Sequence, residues 1–111
     1  MVISATVAFG DGGGVKEVNL NESKSQGVRH NAPGRSPFSC YVVFNELEIM
    51  SASTMCDVDI VVLNLDSGSS CEYVTDISLT PYVITLSGVG NYEITILTPD
   101  GHCYHGSFEV D

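Results

Sequence analysis

The chain has 111 residues, enough for one hydrophobic core and too few for a second domain. Hydrophobic residues make up 43% and charged residues 16%, which excludes an intrinsically disordered chain. A formal net charge of −10 excludes nucleic acid as a partner, because displacing phosphate counterions takes Lys and Arg, and it disfavours anionic membrane surfaces for the same reason.

The chain opens on MVISATVAFG, apolar and small, running into Asp11-Gly12-Gly13-Gly14. A spanning helix needs about 20 apolar residues, so no membrane span is expected. Thr6 and Ala8 carry small side chains of the kind that precede an export cleavage, and residues 1–14 read as the remnant of an export signal or a flexible N-terminus. A short first β-strand is the alternative. Val15 to Leu20 (VKEVNL) alternates weakly and reads as an edge strand. Residues 21–37, NESKSQGVRHNAPGRSP, are rich in turn formers and lack apolar periodicity, so residues 15–37 are expected to be an edge strand and a linker.

Residues 38–111 form the body. β-branched and aromatic runs alternate there with turn signals at the spacing of a β-sandwich. Strands are expected over Phe38 to Phe44, Glu46 to Met50, Cys56 to Asn64, Cys71 to Leu79, Tyr82 to Ser87, Tyr92 to Thr98 and Cys103 to Val110. The period of two also predicts faces. Val58, Ile60 and Val62 turn inward and Asp57 and Asp59 outward; Tyr92, Ile94 and Ile96 turn inward, as do Tyr104, Phe108 and Val110, leaving Cys103 and His105 outside. Tight turns are expected at Asn45, at Asp66-Ser67-Gly68-Ser69 and at Pro99-Asp100-Gly101, and Pro81 marks a strand crossing or edge.

Charge is divided unevenly along the chain. All four bases, Lys16, Lys24, Arg29 and Arg35, precede Ser36, whereas the body carries eleven acids and no Lys or Arg. An endopeptidase that requires Lys or Arg therefore finds no site after Arg35, a property suited to a protease-rich extracellular setting; compositional drift in a small acidic protein gives the same pattern. The body owes its solubility to carboxylates.

Cys40, Cys56, Cys71 and Cys103 show no C-x-x-C spacing, which argues against a zinc knuckle or a thioredoxin-type pair. Four cysteines permit two disulfides in three connectivities, or free thiols that behave as small hydrophobes. His102-Cys103-Tyr104-His105 is the densest reactive cluster. Cys103 and His105 share a face at about 6.6 Å along a strand, a spacing that suits a soft metal or a Cys/His pair, but no further ligands are visible. The i, i+2 acid pairs Glu46/Glu48 and Asp57/Asp59 read as a solvated strand face rather than an acid/base dyad. No nucleophile elbow, H-E-x-x-H, P-loop or G-x-G-x-x-G occurs, and no D-x-D-x-D-G ladder that would gather calcium. With no Trp and its tyrosines mostly turned inward, the chain offers few platforms for sugars. No catalytic, cofactor-binding or metal site is assigned.

The stretch YVITLSGVGNYEITILTPDGHCYHGSFEVD carries a resemblance, in its order of apolar run, L-S-G, short turn, Y-x-I-x-I, D-G, aromatic and G-x-F-x-V. It resembles a family of small secreted proteins of unknown function from Bacteroides-type gut bacteria, and the likeness extends back through ELEIM and VDIVVLNLDSG to Arg35-Ser36-Pro37 and VKEVNL. The resemblance implies an all-β, immunoglobulin-like antiparallel sandwich of about seven strands and export to the periplasm, cell surface or medium. No family site residues come with it. The expected function is a non-catalytic exported module for protein interaction or adhesion, with a protein partner. Two alternatives stand beside it: a structural subunit assembling by strand addition through residues 15–20, and a small metal-binding or hydrolytic protein using Cys103 and His105.

Overall fold

The computed structural model describes residues 15–23 and 36–111, and every regular element among them is a β-strand. In chain order these are β1 (Val15–Glu17), β2 (Asn21–Glu22), β3 (Phe38–Val43), β4 (Glu46–Ser51), β5 (Met55–Asn64), β6 (Ser70–Ile77), β7 (Tyr82–Thr85), β8 (Gly90–Leu97) and β9 (Cys103–Val110). All pairings are antiparallel, in one sheet of order β1-β3-β4-β7 and a second of order β2-β9-β8-β5-β6. The seven strands expected in the body are all present. The readings for residues 1–14 and for linker residues 24–35 lie outside the described residues.

Strict alternation builds the core between the sheets. Val58, Ile60 and Val62 of β5 and Tyr92, Ile94 and Ile96 of β8 are buried, and they meet Leu47 and Ile49 of β4 in the facing sheet. Each such side chain contributes on the order of 1.5–3 kcal/mol when fully removed from water. Tyr104 and Val110 are buried on β9, and Phe108 packs on the core with its ring stacked on Tyr92 at 5.4 Å between centroids. The face assignments made from the sequence therefore hold through β5, β8 and β9.

Strand limits differ where local chemistry intervenes. β5 begins at Met55 rather than Cys56, because a bulge between Met55 and Val58 places an extra residue opposite β6. Asp57 sits in the bulge at φ 57°, and its N–H donates to Asp76 Oδ1 at 3.1 Å. β6 stops at Ile77 and β7 at Thr85, short of the expected Leu79 and Ser87. Pro81 lies in the link that carries the chain from the five-stranded to the four-stranded sheet, the crossing its position foretold.

The reading of Val15 to Leu20 as one edge strand is corrected. Only β1 lies along β3; the chain then crosses between the sheets, and β2 pairs with β9. Val18 enters the core at the crossing while its N–H donates to the Cys40 carbonyl at 2.8 Å, so this segment behaves as a strap over one open side of the sandwich. Gly106 on β9 admits it. A Cβ there would run into the Asn19 carbonyl oxygen, which requires glycine at this close approach.

Candidate functional site

Three turns gather at one end of the sandwich: Phe44-Asn45 between β3 and β4, Leu65 to Ser69 between β5 and β6, and Leu86 to Val89 between β7 and β8. They are bonded to one another. The Leu86 N–H donates to the Asn45 carbonyl at 2.7 Å, the Leu65 N–H to the Asn91 carbonyl at 2.8 Å, and the Asn91 N–H to Asp66 Oδ2 at 3.0 Å. Within the second turn, Asn64 Oδ1 accepts from the Asp66 and Ser67 N–H groups, an Asx turn that fixes the loop locally. The buried Tyr92 donates its hydroxyl to the Gly88 carbonyl at 2.7 Å, tying the third turn to β8. These hydrogen bonds join the three turns into one platform.

On the platform stand apolar side chains that the core does not claim. Phe44 is 76% exposed, Val89 69% and Leu65 50%. Phe44 is the least expected of these, because it occupies a left-handed conformation at φ 57° inside a two-residue hairpin turn closed by Val43 and Glu46. That region disfavours a residue with a Cβ by about 1–2 kcal/mol, and glycine is the usual occupant of such a turn. Neither the core nor the turn explains an aromatic here. The sequence expectation had placed Phe44 at the end of its strand, and Phe44 continues the period of two set by Phe38, Cys40 and Val42, so the alternation carries no sign that its ring leaves the core.

The reactive cluster singled out from the sequence lies at the opposite end and along β9. Cys103 and His105 do share an outward face, but both are engaged with the strap: the Cys103 carbonyl accepts the Ser23 N–H at 2.8 Å, and His105 Nε2 lies 3.2 Å from the Ser23 hydroxyl. Among the described residues no group of three or more His, Cys, Asp or Glu side chains comes together as a metal site, so the Cys103–His105 reading gains no further ligand. His102 has different neighbours. Its Nδ1 lies 2.7 Å from Glu22 Oε2 and its Nε2 3.9 Å from Asp100 Oδ2, while the Thr98 hydroxyl bonds to Asp100. The Glu22 hydrogen bond, followed by the charge of Asp100, raises the His102 pKa above the ordinary imidazole value. Asp100 is held below the usual carboxylate range, first by the Thr98 hydroxyl.

All four cysteines are free thiols, so the disulfides permitted by the sequence do not form in this structure. Burial pushes Cys40 up to about 12, which makes it an inert member of the core. Cys56 and Cys71 are exposed on β5 and β6. The acid pair Asp57/Asp59 does not act as a unit either. Asp57 belongs to the bulge, whereas Asp59 is directed toward Glu72 on β6; a hydrogen bond to Asp59 and its charge hold the Glu72 carboxyl above its ordinary pKa.

No protein-family model matches the chain, and no curated protein does. Among solved structures it is similar to a DUF3244 family protein from Bacteroides vulgatus with an immunoglobulin-like β-sandwich fold, at a TM-score of 0.63 and 19% identity, covering 87% of this chain and 99% of that one. The fold here is therefore an immunoglobulin-like β-sandwich, as the resemblance in its last three strands implied. That neighbour comes from a Bacteroides species, the source the resemblance named.

Proposed function

We propose that the chain is a non-catalytic, exported module for protein interaction, and that it meets its partner through the loop end bearing Phe44, Leu65 and Val89. Phe44 carries this reading. An aromatic ring 76% exposed, held at left-handed φ on a hydrogen-bonded platform, opposes both burial and local conformation, and aromatic anchors on rigid elements are what protein interfaces select. The neighbouring turns support it, because their mutual hydrogen bonds place Leu65 and Val89 at the same end without further ordering on binding.

Export is part of the proposal and rests on the resemblance together with the body's lack of Lys and Arg. Fractionation of native cells tests it: recovery from the envelope or medium is expected, and recovery from the cytoplasm overturns it. The interaction is tested by a photo-crosslinking residue introduced at Phe44, at Val89 and, as a control, at Ser53 in the exposed β4–β5 turn at the opposite end of the sandwich. One partner of defined mass is expected at Phe44 and Val89 and not at Ser53. Equal capture at all three positions, or none, refutes the loop end as the binding surface.

A further inference from the structure

The two open sides of the sandwich are treated differently. On one side the strap of residues 15–23 crosses from β1 to β2, pairs with both sheets, seats Val18 between them and is fastened by Lys16, whose Nζ lies 3.2 Å from Asp111 Oδ2. The opposite side is bounded by the edge strands β6 and β7, and no described segment pairs with the free edge of either. Tyr73 and Tyr82 meet edge to face across it, and beside them a cleft of about 60 Å³ opens between the sheets, lined by Cys71, Tyr73, Ile84 and Leu86.

The β6 edge is long, regular and ready to bond. The Asn64 N–H donates to the Ser69 carbonyl, and alternation from that bond turns the N–H and C=O groups of Glu72 and Val74 away from β5. Val74 is 64% exposed on this edge. The outward side chains beside it are acidic: Glu72 and Asp76 on β6, and Asp59 on the adjoining strand. Asp59 Oδ1 is buried with no hydrogen-bond partner among the described residues, and the carboxyl of Glu72 is its acidic neighbour. A buried carboxylate oxygen left unpaired is costly and is relieved by a cationic donor. No Lys or Arg of the body supplies one.

We infer that the β6 edge accepts an extended, Lys- or Arg-bearing segment of another protein by strand addition, its ammonium or guanidinium groups meeting Asp59, Glu72 and Asp76. The commitment to a basic partner rests on charge complementarity. A second copy is disfavoured, because antiparallel pairing of two β6 edges about Val74 sets Glu72 opposite Asp76 twice, like charge against like. This inference rests on the reading of the chain as an interaction module and adds a second surface to it, remote from Phe44 in sequence and carried by main-chain bonding rather than by an aromatic anchor.

The probe is a capped nine-residue peptide of alternating Val and Lys, titrated into the full chain with the backbone amides followed by NMR. Saturable binding with slowed hydrogen exchange at the Glu72 and Val74 amides is expected, as is weakening by added salt. Val74→Pro, tolerable on an edge whose N–H faces outward, should weaken binding by ~10-fold or more. Glu72→Gln, which leaves the backbone intact, should weaken it roughly two- to five-fold. Binding unchanged in both variants, no binding to the folded chain, or equal binding of an alternating Val-Glu peptide overturns the inference. Concentration-dependent dimerisation lost in Val74→Pro also overturns it, by naming a second copy as the occupant. The photo-crosslinker scan separates the two readings: capture at Phe44 with no peptide binding at β6 leaves the interaction module standing and removes only this surface.

Discussion

Replacing Phe44 by alanine and by glycine isolates the strain argued for the β3–β4 turn. Both substitutions remove the ring, so whatever packing the ring retains cancels in the comparison. Alanine keeps a Cβ at φ 57°, where the left-handed conformation costs about 1–2 kcal/mol, whereas glycine is free of that cost. Glycine gives back about 0.5–1 kcal/mol through the greater freedom of its unfolded chain. Phe44→Gly should therefore be the more stable of the two by about 0.5–1 kcal/mol, a separation of roughly 2–4 °C in Tm for a domain of this size. Paired urea and thermal melts measure it. The ring's own share is bounded by its exposure of 76%: both variants should remain far from the 3–5 kcal/mol typical of removing a buried aromatic. Alanine equal to or better than glycine would show that residue 44 is not held left-handed. A loss above about 3 kcal/mol in both variants would show that the ring is structural, and Phe44 would cease to argue for binding.

Gly106→Ala places a Cβ against the Asn19 carbonyl, so the strap should detach while the sandwich persists; hydrogen exchange should speed up at the Val18 and Ser23 amides and stay slow at Ile60 and Ile94. The His102 contacts predict a pH dependence in the same region. A histidine whose pKa is raised on folding contributes stability in full below its unfolded value near 6.5, and that contribution is lost as pH rises through the folded value. Strap protection should thus be greater at pH 5.5 than at pH 8, with the difference flattened by His102→Gln. Glu72 has the same sign: its raised carboxyl favours the fold at low pH and loses that contribution as pH rises, so Asp59→Asn should improve stability at pH 7 in a denaturant titration. Trypsin should cut the native chain only at or before Arg35, leaving a fragment whose mass corresponds to the body; a cut within residues 36–111 is impossible for an enzyme of that specificity, so any such fragment would have to come from another protease.

What the sequence made legible follows from the reach of its signals. A side-chain period of two is local, and it assigned the inward faces of β5, β8 and β9 from Val58, Ile60, Tyr92, Ile94 and Tyr104. Pro81 marked the crossing for an equally local reason, since it cannot donate to a ladder. The strap was hidden because its partners are distant: Val18 bonds to Cys40 and Glu22 approaches His102, contacts 22 and 80 residues apart that no spacing rule connects. In VKEVNL the apolar positions Val18 and Leu20 keep a strand-like alternation, while the change of sheet between them leaves no mark in composition. The loop end was hidden differently. Phe44 resembles the last residue of a strand by type, and only the turn geometry shows that it projects from a hairpin at positive φ.

The uneven distribution of charge joins the two sides of the molecule in one account. With no Lys or Arg after Arg35, the body can form such an ion pair only with the segment before it or with another molecule. On the strapped side that segment meets the requirement: Lys16 reaches Asp111 and the Glu109 carbonyl, and Glu22 pairs instead with the one titratable cation the β8–β9 turn supplies, His102. On the far side Asp59, Glu72 and Asp76 have no such neighbour among the described residues, and two of them press on each other closely enough to raise a pKa. Carboxylates at an edge prevent self-pairing, but acids on both members of a strand pair, with one oxygen buried and unbonded, exceed what that protection needs. The excess is favourable to a cation that the body itself lacks, which is why the open edge, and not the strapped one, is where a basic strand would gain most.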